Sequence, residues 1–180
     1  MPRMTALEPS EAPARSAELL SGIIARNGQV GPMVATMANS PALLNGYLEL
    51  SRSMKRAKLP RALSEKVSLA LQEWIGCALC LSAHTAAGKA AGLSDNDVAL
   101  ARQGVSTDPR ETALISFAVR VLAEPSSFAD DDISTLRAHG WDERAIADVV
   151  GLVALNLMTG AFNLVAGLEP DDARGREDAA

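Results

Sequence analysis

The segment 149–168 is a run of twenty residues without a charged side chain, and this run limits what the chain can fold into. Its length is that of a helix that spans a membrane. However, polar residues such as Asn156 and Asn163 interrupt it, and its flanks are the acidic Asp148 and Glu169 rather than basic residues. We therefore predict a helix that is buried on all sides, in a helical core or a subunit interface, and no membrane insertion.

Helical patterns also account for the rest of the chain. Apolar residues recur every three or four positions, and Gly28, Gly76, Gly92 and Gly104 follow the repeats as stop signals. In the segment 61–75 the pattern predicts a buried face that consists of Leu63, Val67, Ala70, Leu71 and Trp74. No window alternates in the manner of a strand. The predicted fold is all-α, a single-domain helical bundle with helices at 14–27, 41–58, 61–75, 77–91, 95–104, 109–124, 129–138 and 142–166.

Length and charge narrow the classes of function. A chain of 180 residues fits one domain, which we expect at 15–168 with its motif region at 40–104. The segments 1–14 and 169–180 are expected to be a flexible N-terminal segment and a flexible acidic tail. The net charge of −5 argues against a nucleic-acid partner. The first fifteen residues have no apolar segment typical of a secretory signal, so a cytoplasmic location is expected.

The sequence from Cys77 to His84 concentrates the reactive side chains. Cys77 and Cys80 are the only cysteines, and His84 is one of two histidines. Their spacing places all three on one face of a helix. A histidine one turn from a thiol can hold it as a thiolate, and the second thiol can then close a disulfide. Cys77 also stands at the predicted helix start, where the helix dipole favours a thiolate.

Glu65 is the carboxylate that we expect to complete this group. It lies twelve residues before Cys77, on the preceding predicted helix. If the two helices pack side by side around Gly76, Glu65 can reach His84. A carboxylate beside a histidine increases the basicity of the imidazole and fixes its orientation. The predicted proton relay runs from Glu65 through His84 to Cys80.

Other interpretations of these residues exist. Two cysteines can be simple apolar packing residues, because free cysteine is among the most buried types. The same four side chains could bind zinc, but the chain offers no second ligand pair of the kind that structural zinc sites use, so no metal is predicted. Glu73 is either a second carboxylate near the thiols or a solvated residue. His139 is interpreted as a helix-end residue that complements the dipole.

The spacing E-x11-C-x2-C-x3-H, formed by Glu65, Cys77, Cys80 and His84, resembles the signature of the alkylhydroperoxidase D-like (AhpD-like) proteins of the carboxymuconolactone decarboxylase superfamily. The flanking segments 40–44, 63–67 and 154–163 resemble that group as well. The resemblance extends over about 40–167. The decarboxylases proper lack the cysteine pair, so decarboxylation is not the expected activity.

The resemblance implies an all-α homo-oligomer, since dimers, trimers and hexamers occur among relatives, and a thiol-dependent peroxidase. Cys80 would be the peroxidatic thiolate and Cys77 the resolving thiol. His84 would be the base, and Glu65 would complete the relay. One departure is Leu79, where the best-known members have a second histidine.

The expected substrate is a small organic hydroperoxide, because the motif is surrounded by apolar residues. The expected reductant is an external dithiol, either a lipoyl group or a thioredoxin-like protein. No cofactor or metal is expected. The alternative is a redox-sensing or disulfide-exchange protein that uses the same cysteine pair without fast peroxide turnover.

Overall fold

The computed structural model describes residues 2–170, and within this range the chain forms α-helices, one short 3₁₀ turn and no β-strand. The all-α prediction is therefore confirmed. The helices are α1 (Ala14–Asn27), α2 (Pro32–Met37), α3 (Pro41–Met54), α4 (Arg61–Ile75), α5 (Ala78–Ala90), α6 (Asp95–Arg102), α7 (Pro109–Ala123), the 3₁₀ turn Pro125–Ser127, α8 (Asp130–Ala138) and α9 (Glu143–Ala166).

The chain divides into two compact units. Among the described residues, the first unit combines 2–53 with 161–170, and it has its own apolar core of Leu20, Met37, Ala38 and Leu44. Its N-terminal segment is bonded through its backbone, since the N–H of Leu7 donates to the carbonyl of Ala35 at 3.0 Å. The flexibility expected for 1–14 stays a prediction. The tail predicted at 169–180 lies outside the described residues, except for its first two.

The second unit, Met54–Gly160, is built around α4. Every residue from 66 to 72 is buried, because both faces of this helix are covered. One face packs into the main core with α7 and α9, through residues that include Leu63, Val67, Leu71, Leu114, Ile115, Val149 and Val153. The other face contributes Leu69 to a smaller core with Leu93, Val98 and Ala101. This central position makes α4 a rigid support for the motif that follows it.

Several predicted helix boundaries are wrong by a few residues. The helix α3 ends at Met54 rather than at Lys58, because the N–H of Lys58 donates instead to the Asp148 carboxylate at 2.8 Å. The helix α5 begins at Ala78, and Cys77 is its N-cap. The short helix α2, which starts at Pro32, was not predicted.

The predicted burial of Trp74 is wrong. Trp74 is 57% exposed, since it continues the core face of α4 beyond the last layer of the apolar core. Within one chain the helix α9 is buried along one side only, and Val150, Leu157 and Leu164 are each more than 40% exposed. The core of one chain therefore does not bury this helix on all sides, and the subunit interface, the other predicted setting, stays a prediction. Among the described residues, α9 is the one helix whose length and composition would allow it to cross a membrane, a property that core helices of soluble proteins share.

Candidate redox-active site

A tight turn between α4 and α5 positions the two cysteines. Gly76 has a φ of +80°, a conformation that glycine adopts without strain, and it ends α4. The carbonyl of Gln72 accepts hydrogen bonds from the N–H groups of both Gly76, at 2.9 Å, and Cys77, at 3.2 Å. The chain therefore reverses within two residues, and Cys77 is fixed as the first residue before α5.

Cys77 and Cys80 are joined by a disulfide bond. Their Cα atoms are 5.3 Å apart, which is within the ordinary range for such a bond. The Cys77 sulfur also accepts a hydrogen bond from the Cys80 N–H at 3.3 Å, so it occupies the N-cap of α5. Both residues are buried, with 1% of Cys77 and 6% of Cys80 exposed. The Cys80 residue is thus slightly closer to solvent.

The predicted contact between Glu65 and His84 is present. The Nδ1 atom of His84 lies 2.8 Å from Oε2 of Glu65. The Glu65 side chain is only 14% exposed and that of His84 is 29% exposed. When the carboxylate is ionised, Nδ1 carries the ring proton and donates a hydrogen bond to Glu65. This leaves Nε2 as the nitrogen that can accept a proton. The geometry gives the histidine a defined tautomer one helical turn after Cys80.

Two further residues adjust the position of Glu65. Arg61, one turn earlier on α4, places its guanidinium Nε 3.9 Å from the other carboxylate oxygen. Gly88, one turn after His84, is buried against the side of Glu65, and a β-carbon there would stand 3.6 Å from the Glu65 β-carbon and 2.9 Å from Leu93. The absence of a side chain at Gly88 therefore lets α5 come close to α4 at this level. No pattern in the sequence distinguishes either residue.

A buried polar network holds the end of α4 in place. The Nε2 group of Gln72 donates to the Asn156 carbonyl at 3.0 Å and to its side-chain oxygen at 2.9 Å. The Asn156 amide donates in turn to the Ser68 hydroxyl at 3.2 Å. Because the Gln72 backbone carbonyl caps the turn before Cys77, this network ties the cysteine turn to α9.

Lys66, next to Glu65, holds the opposite side of α4. Its ammonium is 2.7 Å from the Glu111 carboxylate, 3.1 Å from the Ser106 hydroxyl and 3.8 Å from Asp97. The Lys66 side chain is 9% exposed. This ion-pair cluster fastens α4 to α6 and to the first turn of α7. The sequence contained no signal for it, since the partners lie 31 to 45 positions away.

The remaining candidates lie in other arrangements. Glu73 forms an ion pair with Arg102 at 2.6 Å, and this hydrogen bond raises the pKa of the Arg102 guanidinium further above its ordinary value. The His139 carbonyl accepts a hydrogen bond from Arg110, and the residue follows the last turn of α8, as its interpretation as a helix-end residue requires. No group of three or more His, Cys, Asp or Glu side chains within 2–170 is arranged to hold a metal ion.

The model of the carboxymuconolactone decarboxylase family matches residues 41–124, a segment that includes Glu65 and the whole cysteine motif. No curated protein matches the sequence.

Three solved structures share the fold. A peroxidase-related protein from Ralstonia eutropha JMP134, described as an alkylhydroperoxidase AhpD core, has a TM-score of 0.79 and 21% identity, and the alignment covers 96% of this chain and 93% of that one. A peroxidase-related protein from Silicibacter sp. TM1040 has a TM-score of 0.78 and 18% identity, with coverages of 95% and 91%. The debrominase Bmp8 has a TM-score of 0.73 and 18% identity, with coverages of 98% and 96%.

At these identities the structural likeness concerns the fold, and it extends over nearly the full length of each chain. The family match adds a likeness in sequence over residues 41–124, which include the central helix α4 and the cysteine motif. Residues 41–124 therefore match the carboxymuconolactone decarboxylase family, and the chain as a whole has the fold of the AhpD-core structure.

Proposed function

We propose that the protein is a thiol-dependent peroxidase that reduces small organic hydroperoxides. The observation that carries the proposal is the 2.8 Å contact between Glu65 and His84. His84 lies on α5, the helix that also holds Cys80. A carboxylate and a histidine in this order form the relay that an activated thiol requires. The disulfide between Cys77 and Cys80 is the oxidised product that the reaction would leave.

The reaction begins when Nε2 of His84 takes the proton of the Cys80 thiol. The thiolate attacks the outer oxygen of the hydroperoxide, the O–O bond breaks, and Cys80 becomes a sulfenic acid. The alkoxide that leaves takes the proton back from Nε2 of His84 and departs as an alcohol. The Cys77 thiol then attacks the Cys80 sulfur and releases water, which forms the disulfide. Glu65 is the positioning residue, because it keeps the Nδ1 proton on the far side of the imidazole ring.

An external dithiol, a lipoyl group or a thioredoxin-like protein, would restore the two thiols by exchange with the disulfide. Trp74 supports a protein partner, because this aromatic residue is exposed only three positions before Cys77. Exposed tryptophans are frequent anchors of protein interfaces. We expect Trp74→Ala to slow reduction by a protein dithiol and to leave reduction by dithiothreitol unchanged. The expected cytoplasmic location, where thiols are kept reduced, stays a prediction.

The test is a single-turnover reaction of the reduced protein with one equivalent of cumene hydroperoxide, with thiols counted before and after. The proposal requires rapid loss of two thiols and formation of one cumyl alcohol. Cys80→Ser should abolish the reaction, whereas Cys77→Ser should still consume peroxide and retain a sulfenic acid that dimedone traps. A rate equal to that of free cysteine would refute peroxidase activity and leave a redox-sensing or disulfide-exchange role.

A second candidate is reductive dehalogenation. The debrominase Bmp8 shares the fold over 98% of this chain, and a cysteine-to-alanine variant of Bmp8 has been solved with 2,3,4-tribromopyrrole. In this reaction two thiols would supply two electrons, the aryl carbon would exchange its bromine for a proton, and bromide and the disulfide would form. Release of bromide from a bromopyrrole by the reduced protein, without consumption of hydroperoxide, would favour this activity.

A further inference from the structure

A cavity of about 360 Å³ lies in the first unit, between α1 and the segment that precedes this helix. Its apolar lining includes Leu7, Leu20, Ile24 and Val30. Leu20 is 1% exposed and belongs to the apolar core of the unit, so the cavity rests on a packed surface. The volume is in the range of small-molecule sites, which are mostly apolar clefts with a few polar groups at defined places.

Glu8 is the charged residue of the lining, and its backbone is held in place. Its N–H donates to the Glu11 carboxylate at 3.2 Å, and its carbonyl accepts from the N–H groups of Glu11, at 3.0 Å, and Ala12, at 3.1 Å. The residue before it, Leu7, donates its N–H to the carbonyl of Ala35 on α2. A fixed turn therefore carries the Glu8 carboxylate at the cavity, with a second carboxylate beside the same turn.

The C-terminal end of α1 adds to the negative character of the cavity. Gly28 lines the cavity directly after the last residue of α1, and its N–H donates to the Ile24 carbonyl at 2.8 Å. The peptide dipoles of a helix give its C-terminal end a partial negative charge, which favours a cation nearby. The charge around the lining thus comes from one carboxylate and one helix end, and both are negative.

The four basic side chains of the first unit, within residues 2–53 and 161–170, lie elsewhere. Arg26 is on α1, but its guanidinium Nη1 lies 3.5 Å from the place that a β-carbon on Gly22 would take. Positions 22 and 26 are on the side of the helix opposite to Leu20 and Ile24, which line the cavity. The other three are held by hydrogen bonds or ion pairs, namely Arg3 by the Leu164 carbonyl at 2.6 Å, Arg15 by Glu18 at 2.6 Å and Arg52 by Glu49 at 2.9 Å. These side chains therefore do not neutralise the charge at the cavity.

We propose that this cavity binds a small amphipathic cation, an alkyl- or arylammonium compound. The apolar body of the ligand enters the cavity, and its ammonium group contacts Glu8 and the end of α1. Such an amine is protonated at neutral pH, as the side chain of lysine is. An anionic ligand would be repelled by Glu8 and by the helix end, and a neutral one would gain no ion pair. The site does not depend on the proposed redox reaction, because the cysteine motif belongs to the second unit.

Three probes with the same aromatic ring test the charge preference, namely phenethylammonium, phenethyl alcohol and phenylacetate. Each is titrated into the full chain at neutral pH, and the backbone amide resonances report the affinity and the place of binding. Phenethylammonium should shift the amides of Leu7, Glu8, Gln29 and Val30. It should bind about fivefold more tightly than the alcohol, as expected for an ion pair at a partly exposed site, and phenylacetate should bind more weakly than both. Equal affinities of the three probes, a preference for phenylacetate, or no binding of phenethylammonium would overturn the proposal.

Glu8→Gln isolates the contribution of the carboxylate. The variant should lose about fivefold in affinity for phenethylammonium and keep its affinity for phenethyl alcohol, because the apolar lining stays intact. Glu18→Gln is the matched control, since it removes the same charge from α1 at a side chain that is 69% exposed and outside the cavity lining. The control should bind both probes like the original chain. An equal loss of affinity in the two variants would mean that only the net charge of the chain attracts the cation, and it would overturn the proposal.

Ile24→Trp tests the cavity itself. The larger side chain should fill the cavity and abolish the binding of phenethylammonium and of phenethyl alcohol alike. Ala35→Leu, on α2, is a second filling variant with a smaller change in volume, for the case in which circular dichroism shows that the tryptophan disturbs the fold. Unchanged binding by a folded filling variant, or amide shifts of the original chain that are confined to residues outside the lining, would overturn the proposal.

Discussion

Gly160 is the position where one added methyl group should have the clearest effect on stability. It lies on α9, where the helix meets the end of α4. A β-carbon at this position would stand 2.6 Å from the side-chain oxygen of Gln72 and 2.9 Å from Cγ2 of Ile75. Neither group can move away easily, because hydrogen bonds to Asn156 hold the Gln72 amide and the Ile75 side chain is branched at its β-carbon.

The magnitude of the effect of Gly160→Ala follows from three contributions. Alanine in place of glycine inside a helix gains about 1 kcal/mol of stability. Displacement of the Gln72 amide loses two buried hydrogen bonds at about 1 kcal/mol each. The crowding itself costs about 1 kcal/mol at the lower end of measured overpacking effects. The net expectation is a decrease of about 2 kcal/mol in the free energy of unfolding, or roughly 4–8 °C in Tm for a chain of this size.

Gly151→Ala is the matched control on the same helix. A β-carbon there would stand 2.8 Å from the sulfur of Met54, the end part of a flexible side chain that can rotate away. We expect this variant to be as stable as the original chain or more stable by up to about 1 kcal/mol, since the gain in helix propensity remains.

Urea unfolding at neutral pH, followed by circular dichroism and by the fluorescence of Trp74 and Trp141, measures both variants. Both tryptophans lie in the second unit, as do both glycines. The reasoning would be refuted if Gly160→Ala were as stable as Gly151→Ala. Gly160→Ser provides a further check, because it adds the same crowding with less gain in helix propensity and should be the least stable of the three.

Three other predictions concern the site and its supports. Glu65→Gln should slow the single-turnover reaction with hydroperoxide about tenfold to hundredfold and change its pH profile, because the histidine loses its fixed tautomer. The number of thiols lost should not change. An unaltered rate and pH profile would remove Glu65 from the relay. Lys66→Met should lower the free energy of unfolding by about 3 kcal/mol, since it leaves the Glu111 carboxylate without its buried partner. Urea unfolding measures this change, and a clearly smaller decrease in the free energy of unfolding would mean that the cluster acts only as a surface ion pair. Asp132→Asn tests pH dependence: the ion pair with Arg120 lowers the pKa of Asp132, so its stabilisation is present above the ordinary pKa of about 3.9 and disappears as the pH falls through the lower folded value. The variant should therefore be less stable than the original chain at neutral pH and equal to it in strong acid, and a difference in urea midpoint that persists in strong acid would contradict this assignment.

The sequence by itself was sufficient for the fold class and for the proximity of the four candidate side chains, whose catalytic roles stay a prediction. Helical periodicity, glycine stop signals and the absence of strand patterns are local properties, and each acts through neighbours three or four residues away. The same local geometry places Cys77 at the N-cap of α5 and Cys80 and His84 on its first two turns. Glu65 could also be predicted, because only a short turn at Gly76 separates its helix from theirs.

Tertiary packing decided the features that depend on distant residues. Whether Trp74 is buried depends on where the core of α4, α7 and α9 ends, and its apolar character alone predicted the wrong outcome. The partners of Lys66 are 31 to 45 positions away in the chain, so no local pattern could indicate them. The uncharged run of α9 was predicted to be buried on all sides, in a helical core or a subunit interface, and one chain supplies packing partners for only part of the circumference of this helix. Burial is a property of the three-dimensional neighbourhood, and for that reason only the structure separated the side of α9 that lies in the core from its exposed apolar residues.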